Sequence, residues 1–227
     1  MRRFDASFVA RHRARLAAGL EAPPPSLSAM PARLRGYLRG ASEPCAAPVV
    51  SRADPAPPRI DPAAPVRVLG VDTSLRCTGL AIVDGRGADA RFVDARPVPN
   101  PARRSIPECL VHIADTLESY IDEFHPDEVA MEGIFFCKNP RTALVLGHAR
   151  GVVVLVCARR GLVPREYPPA SVKRAATGVG SATKDQMRRM MQRLFGLPEL
   201  PQEDSADALA IALAHIHERR IELMRRT

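Results

Sequence analysis

Four acidic residues stand where carboxylates could build a metal site: Asp72 in VLGVDTSLRCTG, Glu132 in VAMEGIFFCKN, and Asp204 and Asp207 in PQEDSADALAIA. Asp72 ends an apolar stretch that reads as a strand, so an ionised carboxylate there needs a metal, a cationic partner or a raised pKa. Asp204 and Asp207 are three apart at the start of a predicted helix, which puts their β-carbons about 5–6 Å apart on one face, and like charges so close are costly without a cation. Taken singly, each acid has a blander explanation. The aspartate pair could be a helix cap and a first-turn acid favoured by the helix dipole, Glu132 a paired structural acid and Asp72 a turn residue. Those explanations do not cover such acids in three separate apolar contexts. Oxygen ligands suit magnesium, which keeps several waters and completes its octahedron with phosphate oxygens. Two such ions about 4 Å apart can activate a water on one side of a phosphodiester and stabilise the leaving oxygen on the other.

The basic residues sharpen this. Of 33 cations only Lys138, Lys173 and Lys184 are lysines. Each lies within a few residues of an acid-bearing segment or of the loop TGVGSATK, where a compact ammonium can meet a phosphate as a point charge. His148 and His215 fall on predicted helices and read as satisfied or solvated side chains rather than ligands, since hard oxygen donors already suit magnesium. Phe135 and Phe136 follow a strand-like stretch, one to be buried and one free to stack on unpaired bases.

The elements that must position these residues are readable from pattern. VRVLGVD, CTGLAIVD and ARFVDARPV form an antiparallel meander, with Asp84-Gly85 as a hairpin turn. Ser105 caps a helix carrying Leu110, Ile113, Leu117, Ile121 and Phe124 at helical spacing. EVAMEGIFF reads as a strand. NPRTALVLGHARGVVVLVCARRG reads as a helix from Asn139 to Gly161, apolar nearly all round, and so either central to the core or shared with a second subunit. LVPREY is a fifth strand, a short helix starts at Ala170, Thr183 and Gln186 make a capping box, and the last helix begins near Asp204. The predicted class is α/β: a mixed five-stranded sheet, antiparallel then parallel, flanked by helices.

Residues 1–65 differ from 66–227. They hold 11 of the 22 prolines, and their 10 arginines against 5 acids supply +5 of the net +8. Stretches such as EAPPPS and ADPAPPRIDPAAP cannot sustain a helix or an interior strand, so this segment reads as a disordered extension. Within it FDASFVARHRARLAAGLE could form a short basic helix, marginal in isolation. The basic balance favours a polyanionic partner. Cys45, Cys77, Cys109, Cys137 and Cys157 are odd in number and widely spaced, which fits free thiols in a reducing compartment. Charge is expected to interrupt every apolar run of about 18 residues, which points to a soluble, cytoplasmic protein without a membrane partner.

The chain resembles the RuvC-type Holliday junction resolvases, nucleases with an RNase H-like fold, over nearly all of residues 66–220. The resemblance rests on Gly70, Asp72, Arg76, Thr78 and Gly79, on E-G-I-F-F-C-K-N, and on A-L-x-L-G-x-A-R-G, V-K-x-x-x-x-G-x-G-S-A-x-K and P-Q-x-D-x-A-D-A-L-A-I-A. It implies that Asp72, Glu132, Asp204 and Asp207 are the catalytic, metal-binding acids of a Mg-dependent endodeoxyribonuclease, with two Mg2+ ions per site and Mn2+ as a substitute. It further implies that Lys184 assists catalysis, that Phe135, Lys138, Lys173, Lys184 and Arg76 contact DNA, and that a homodimer nicks four-way junctions symmetrically, with the RuvAB branch-migration complex as a partner. Another branched DNA, or silent junction binding, would be the alternative. A sugar-kinase-like phosphotransferase shares the opening hairpin but needs a second lobe that this length does not provide. The chain departs from the usual G-I-D-P-G-S-R in having Thr73, Ser74 and Leu75 after the first acid.

Overall fold

The protein is described by a computed structural model over residues 64–87, 89–133 and 139–225. The readings made above for residues 1–63, and for Phe135, Phe136, Cys137 and Lys138, lie outside the described residues. Strands β1 (Val66–Asp72), β2 (Cys77–Arg86), β3 (Asp89–Pro99), β4 (Glu128–Glu132) and β5 (Pro164–Tyr167) form one sheet in the order β3-β2-β1-β4-β5. The first three are antiparallel neighbours, whereas β1–β4 and β4–β5 are parallel.

Alternation along the strands sorts the side chains into two cores. Leu69 and Val71 of β1 and Val129 and Met131 of β4 pack under helices α1 (Ile106–Phe124) and α2 (Pro140–Arg159). Val66 and Val68 of β1 and Ala130 of β4 face the other way, toward α3 (Pro169–Thr177), α4 (Lys184–Phe195) and α5 (Glu203–Met224). The period of two therefore also puts Asp72 and Glu132 on the α5 side. The expected helix starts hold: Ser105 N–H donates to Glu108 Oε2 at 2.7 Å, Asn139 Oδ1 accepts from Arg141 N at 3.0 Å, and Thr183 N–H donates to Gln186 Oε1 at 2.9 Å.

The hairpin turn is displaced from its expected place. Asp84 and Gly85 remain in β2, opposite Arg91 and Ala90, and the chain turns beyond Arg86 at Gly87, where φ is 60°. Gly85 serves close packing instead: a β-carbon there would come within 2.8 Å of Ile216 on α5. In α2 a charge, Arg150, does interrupt the apolar run as expected. By length and mean hydropathy Arg141–Arg159 is apolar enough to cross a membrane even with Arg150 inside it. Here it is a layer on the sheet, with Ala149, Val153, Val156 and Cys157 buried.

The far half of α5 is fastened by a buried polar network. His215 Nδ1 and Tyr167 Oη share a 2.7 Å hydrogen bond, and Glu128 of β4 pairs with both His215 and Arg219. Of the two outcomes expected for these histidines, His215 is a satisfied core side chain, while His148 is exposed on α2.

Candidate active site

Adjacent strand ends create the site. Val71 pairs with Met131 across the parallel β1–β4 junction, so the next residues, Asp72 and Glu132, emerge side by side. Helix α5 crosses the same face at close range, because Gly70 and Gly79 have no side chain to hold it off: β-carbons there would lie 2.1 Å from the Ala208 carbonyl oxygen and 1.9 Å from that of Asp204. This approach sets the first turns of α5 over the acid-bearing strand ends. A cavity of about 310 Å³ results, lined by Asp72, Glu132 and Asp207 with Lys173 of α3 and Lys184 of α4. All four expected acids thus belong to one neighbourhood, although they stand in different positions within it. Asp204, one turn earlier on α5, lies toward the start of β2, where the Cys77 thiol hydrogen-bonds to it.

Electrostatics mark this as a crowded negative centre. Burial pushes the Asp72 carboxyl up to about 7, and repulsion from Asp207, Glu132 and Asp204 adds to it against the pull of Lys184. Asp207 is raised to about 6, first by burial, with Lys184 opposing and Glu132, Glu203 and Asp204 reinforcing. Glu132 is raised by burial, opposed by Lys173, Lys184 and Arg150. Burial and the bond to Asp204 push the Cys77 thiol up to about 12, which makes it a hydrogen-bond donor rather than a thiolate.

The donor set is all oxygen and fits a hard divalent cation. Among the described residues, however, no three His, Cys, Asp or Glu side chains are close enough together to ligate one ion as they stand. A cation would have to draw the carboxylates inward, and their mutual repulsion is what its charge would relieve.

Of the expected DNA contacts, Lys173 and Lys184 line the cavity. Lys184 is exposed and pairs with Glu203 at the start of α5. The exposed Arg76 has a guanidinium turned to the backbone, with Nη1 donating to the carbonyls of Pro101 at 3.2 Å and Arg104 at 3.3 Å.

The sequence reading passed over three residues. Arg150 donates to the Glu132 carbonyl at 2.6 Å, Cys77 meets Asp204, and Glu203 holds Lys184. Arg150 had a signal, as a lone cation inside an otherwise apolar stretch of α2. Cys77 and Glu203 had none, since their partners are fixed only by tertiary structure.

The chain is similar to known proteins in sequence and in fold. A family model described as crossover junction endodeoxyribonuclease RuvC matches residues 68–215. The RuvC protein of Halorhodospira halophila is 44% identical over 153 residues, 67% of this chain and 91% of that protein. The one from Pelobacter propionicus is 40% identical over 152 residues, 67% of this chain and 86% of its own length. Among solved structures, Thermus thermophilus RuvC in complex with a Holliday junction substrate aligns at a TM-score of 0.65 and 30% identity, covering 70% of this chain and 97% of that one. The yeast mitochondrial Holliday junction resolvase aligns at 0.53 and 13% identity, over 71% of this chain and 85% of its own, and shares the fold alone. With an RNase H-like sheet, and a family match over most of its length, this chain belongs to the RuvC family of crossover junction endodeoxyribonucleases.

Proposed function

We propose that the protein is a magnesium-dependent endonuclease that resolves four-way DNA junctions by paired symmetric nicks. The observation that carries this reading is the meeting of Asp72, Glu132 and Asp207 in one cavity with Lys173 and Lys184. Acids alone would repel a phosphodiester. Acids able to gather cations, next to two ammonium groups, suit a substrate that brings its own negative charge. Bound Mg2+, with Mn2+ as a substitute, would supply an activated water and neutralise charge on the leaving oxygen.

The chain's own residues do the rest. Asp72 and Glu132 project from rigid strand ends and Asp204 and Asp207 from consecutive turns of α5, so the four carboxylates are held by three elements packed on one sheet. Lys173 and Lys184 steady the charge that develops on the phosphate. Lys184 exchanges its pairing with Glu203 for the DNA. Arg76 holds the loop after β3, at the edge where the DNA backbone passes Thr73–Leu75, and Phe135 and Lys138 extend the contact from the segment that follows Glu132.

Two symmetric nicks need two sites, and α2 offers the surface for a second copy of the chain. Leu144, Gly147, His148, Gly151, Val154 and Leu155 fall at helical spacing on its outer side, all exposed. Leu144 is 62%, Leu155 51% and Val154 40% accessible. The same self-complementary stripe on two protomers gives an isologous interface. In the cell such a dimer would act on junctions presented by the RuvAB branch-migration complex.

The test is a synthetic mobile four-way junction beside linear duplex and flap controls, with Mg2+, with Ca2+, and with Asp204→Asn. Paired nicks at the junction are expected with Mg2+ alone, and the variant should bind the junction but leave it intact. Normal turnover by Asp204→Asn would remove the proposed site, and cleavage confined to flaps would replace the substrate.

A further inference from the structure

Beside the main cavity lies a smaller one that the reading above leaves unused. It measures about 160 Å³ and is bounded by Asp72, Thr73, Glu132, Leu146 and Arg150. The main cavity is bordered by α3, α4 and α5, whereas this one is bordered by α2 and by Pro169 at the start of α3, so the two share Asp72, Glu132 and Pro169. Two polar groups at its wall have unused capacity. Thr73 Oγ1 is buried and makes no hydrogen bond. The Arg150 side chain, 11% exposed, donates from Nη1 to the Glu132 carbonyl at 2.6 Å, and its Nη2 lies 2.5 Å from Glu166 Oε1. That second contact is an ion pair by distance, and Nη2 is buried without an aligned hydrogen bond.

A buried hydroxyl is rarely left unmatched, because the full desolvation cost then goes uncompensated. Several occupants can be ruled out. An anion would meet Asp72 and Glu132, and an apolar group would meet two carboxylates and a guanidinium. Water suits both the lining and the size: one molecule needs only about 10–15 Å³ of such space and two to four polar partners.

We infer that Thr73 and Arg150 form an outer layer of the carboxylate site, in which water held in this cavity joins the Thr73 hydroxyl and the Arg150 guanidinium to Asp72 and Glu132 and fixes both carboxylates for cation binding. The inference rests on the metal-dependent reading of the site. Thr73 and Arg150 are positioning residues, acting through the acids and not on the phosphodiester. The departure after the first acid then acquires a role. A proline in place of Thr73 has no hydroxyl to offer, so this arrangement is a property of chains with threonine or serine there.

The experiment compares Thr73→Val, which keeps the shape and removes the hydroxyl, with Thr73→Ser, which keeps the hydroxyl. Arg150→Met and Arg150→Lys form a second pair. Mg2+ binding to the full-length, DNA-free protein is measured by calorimetry, beside thermal stability, junction affinity in Ca2+, and the Mg2+ concentration for half-maximal nicking. Thr73→Val is expected to weaken Mg2+ binding about tenfold, the lower end of the range for loss of an outer partner of a metal ligand. Nicking should shift to higher Mg2+ by the same factor, with junction affinity in Ca2+ retained and Thr73→Ser close to the parent. Arg150→Met should weaken Mg2+ binding in the same way, with partial recovery in Arg150→Lys. Parental Mg2+ affinity in Thr73→Val, or equal loss in Thr73→Ser, would overturn the role of the hydroxyl. A fall in thermal stability without a change in Mg2+ affinity for Arg150→Met would reduce Arg150 to a tie between α2 and β4. If the parent binds Mg2+ and Thr73→Val impairs it, yet no junction is nicked, the outer layer stands and the resolvase reading fails.

Discussion

Asp72 occupies a place where an ionised carboxylate is hard to keep, and the sign of that strain can be worked out. Its pKa of about 7 and that of Asp207, about 6, lie above the usual carboxylate range because of burial and mutual repulsion. The folded state therefore holds these protons more tightly than the unfolded chain, so their effect on stability is most favourable at low pH and is lost as pH rises through the folded values. A divalent cation reverses this, since it binds the ionised forms. In chelator, the melting temperature of the wild type relative to Asp72→Asn should fall between about pH 5 and about pH 8. Adding Mg2+ should raise the wild-type melting temperature more at the alkaline end. Equal Mg2+ shifts at both ends, measured by scanning fluorimetry, would separate the acids from the cation. Lys184 carries a second consequence. Its pKa is raised first by the hydrogen bond to Glu203, and on the proposed reading a phosphate competes with that carboxylate. Glu203→Gln should tighten junction binding at low salt. Lys184→Gln should weaken it and flatten the salt dependence by a slope of about 0.9, the share of one phosphate contact. An unchanged slope would place Lys184 off the DNA.

At the scale of elements, the site depends on how closely α5 approaches β1 and β2, and that distance is set by two absent side chains. In Gly79→Ala the new methyl would meet a backbone oxygen, that of Asp204, at 1.9 Å, and neither partner is a flexible side-chain tip. Strand and helix must part, at a cost of about 3 kcal/mol, or roughly 6–12 °C in melting temperature for a domain of this size. Because the displaced oxygen belongs to Asp204, nicking should fall further than the lost stability accounts for. A variant that melts early but nicks normally at low temperature would show that α5 tolerates the shift. The same close packing explains what sequence could and could not reveal. The strands and the caps at Ser105, Asn139 and Thr183 follow from local pattern, and a period of two puts Asp72 and Glu132 on one face of the sheet, but their adjacency needs the parallel pairing of β1 with β4. The role of Gly85 did not follow either, since a glycine for a turn and a glycine for an approaching helix look alike until Ile216 is in place. Arg150 was visible as an oddity in α2, but its target, the Glu132 carbonyl, is set by which helix covers which strand. The separate positions of Asp204 and Asp207 also needed the structure, because a spacing of three gives a shared helix face but not which of the two faces the cavity.

For the whole molecule, the proposed dimer contact on the outer side of α2 would separate a single-site nuclease from one that resolves junctions in register. Its glycines make the test sharp. β-carbons added at Gly147 or Gly151 would meet nothing within 4 Å in one protomer. Alanine at either position should therefore stabilise the isolated helix, by about 0.5–1 kcal/mol each, through backbone entropy. If a second copy packs α2 against α2, those same methyls fall where the two backbones come closest, and they should loosen the dimer while the protomer becomes no less stable. Gly147→Ala with Gly151→Ala is thus expected to lower the dimer fraction in analytical ultracentrifugation, and Leu155→Glu, which puts a charge in the middle of the stripe, to abolish it. Monomers of either kind keep the carboxylates and lysines, whose cavity lies within one protomer. They should nick one strand of a four-way junction and lose the second, symmetric cut. A Leu155→Glu protein that sediments as a dimer and still makes paired nicks would move the interface to another face. One that is monomeric yet still makes paired nicks would break the link between two copies and two cuts.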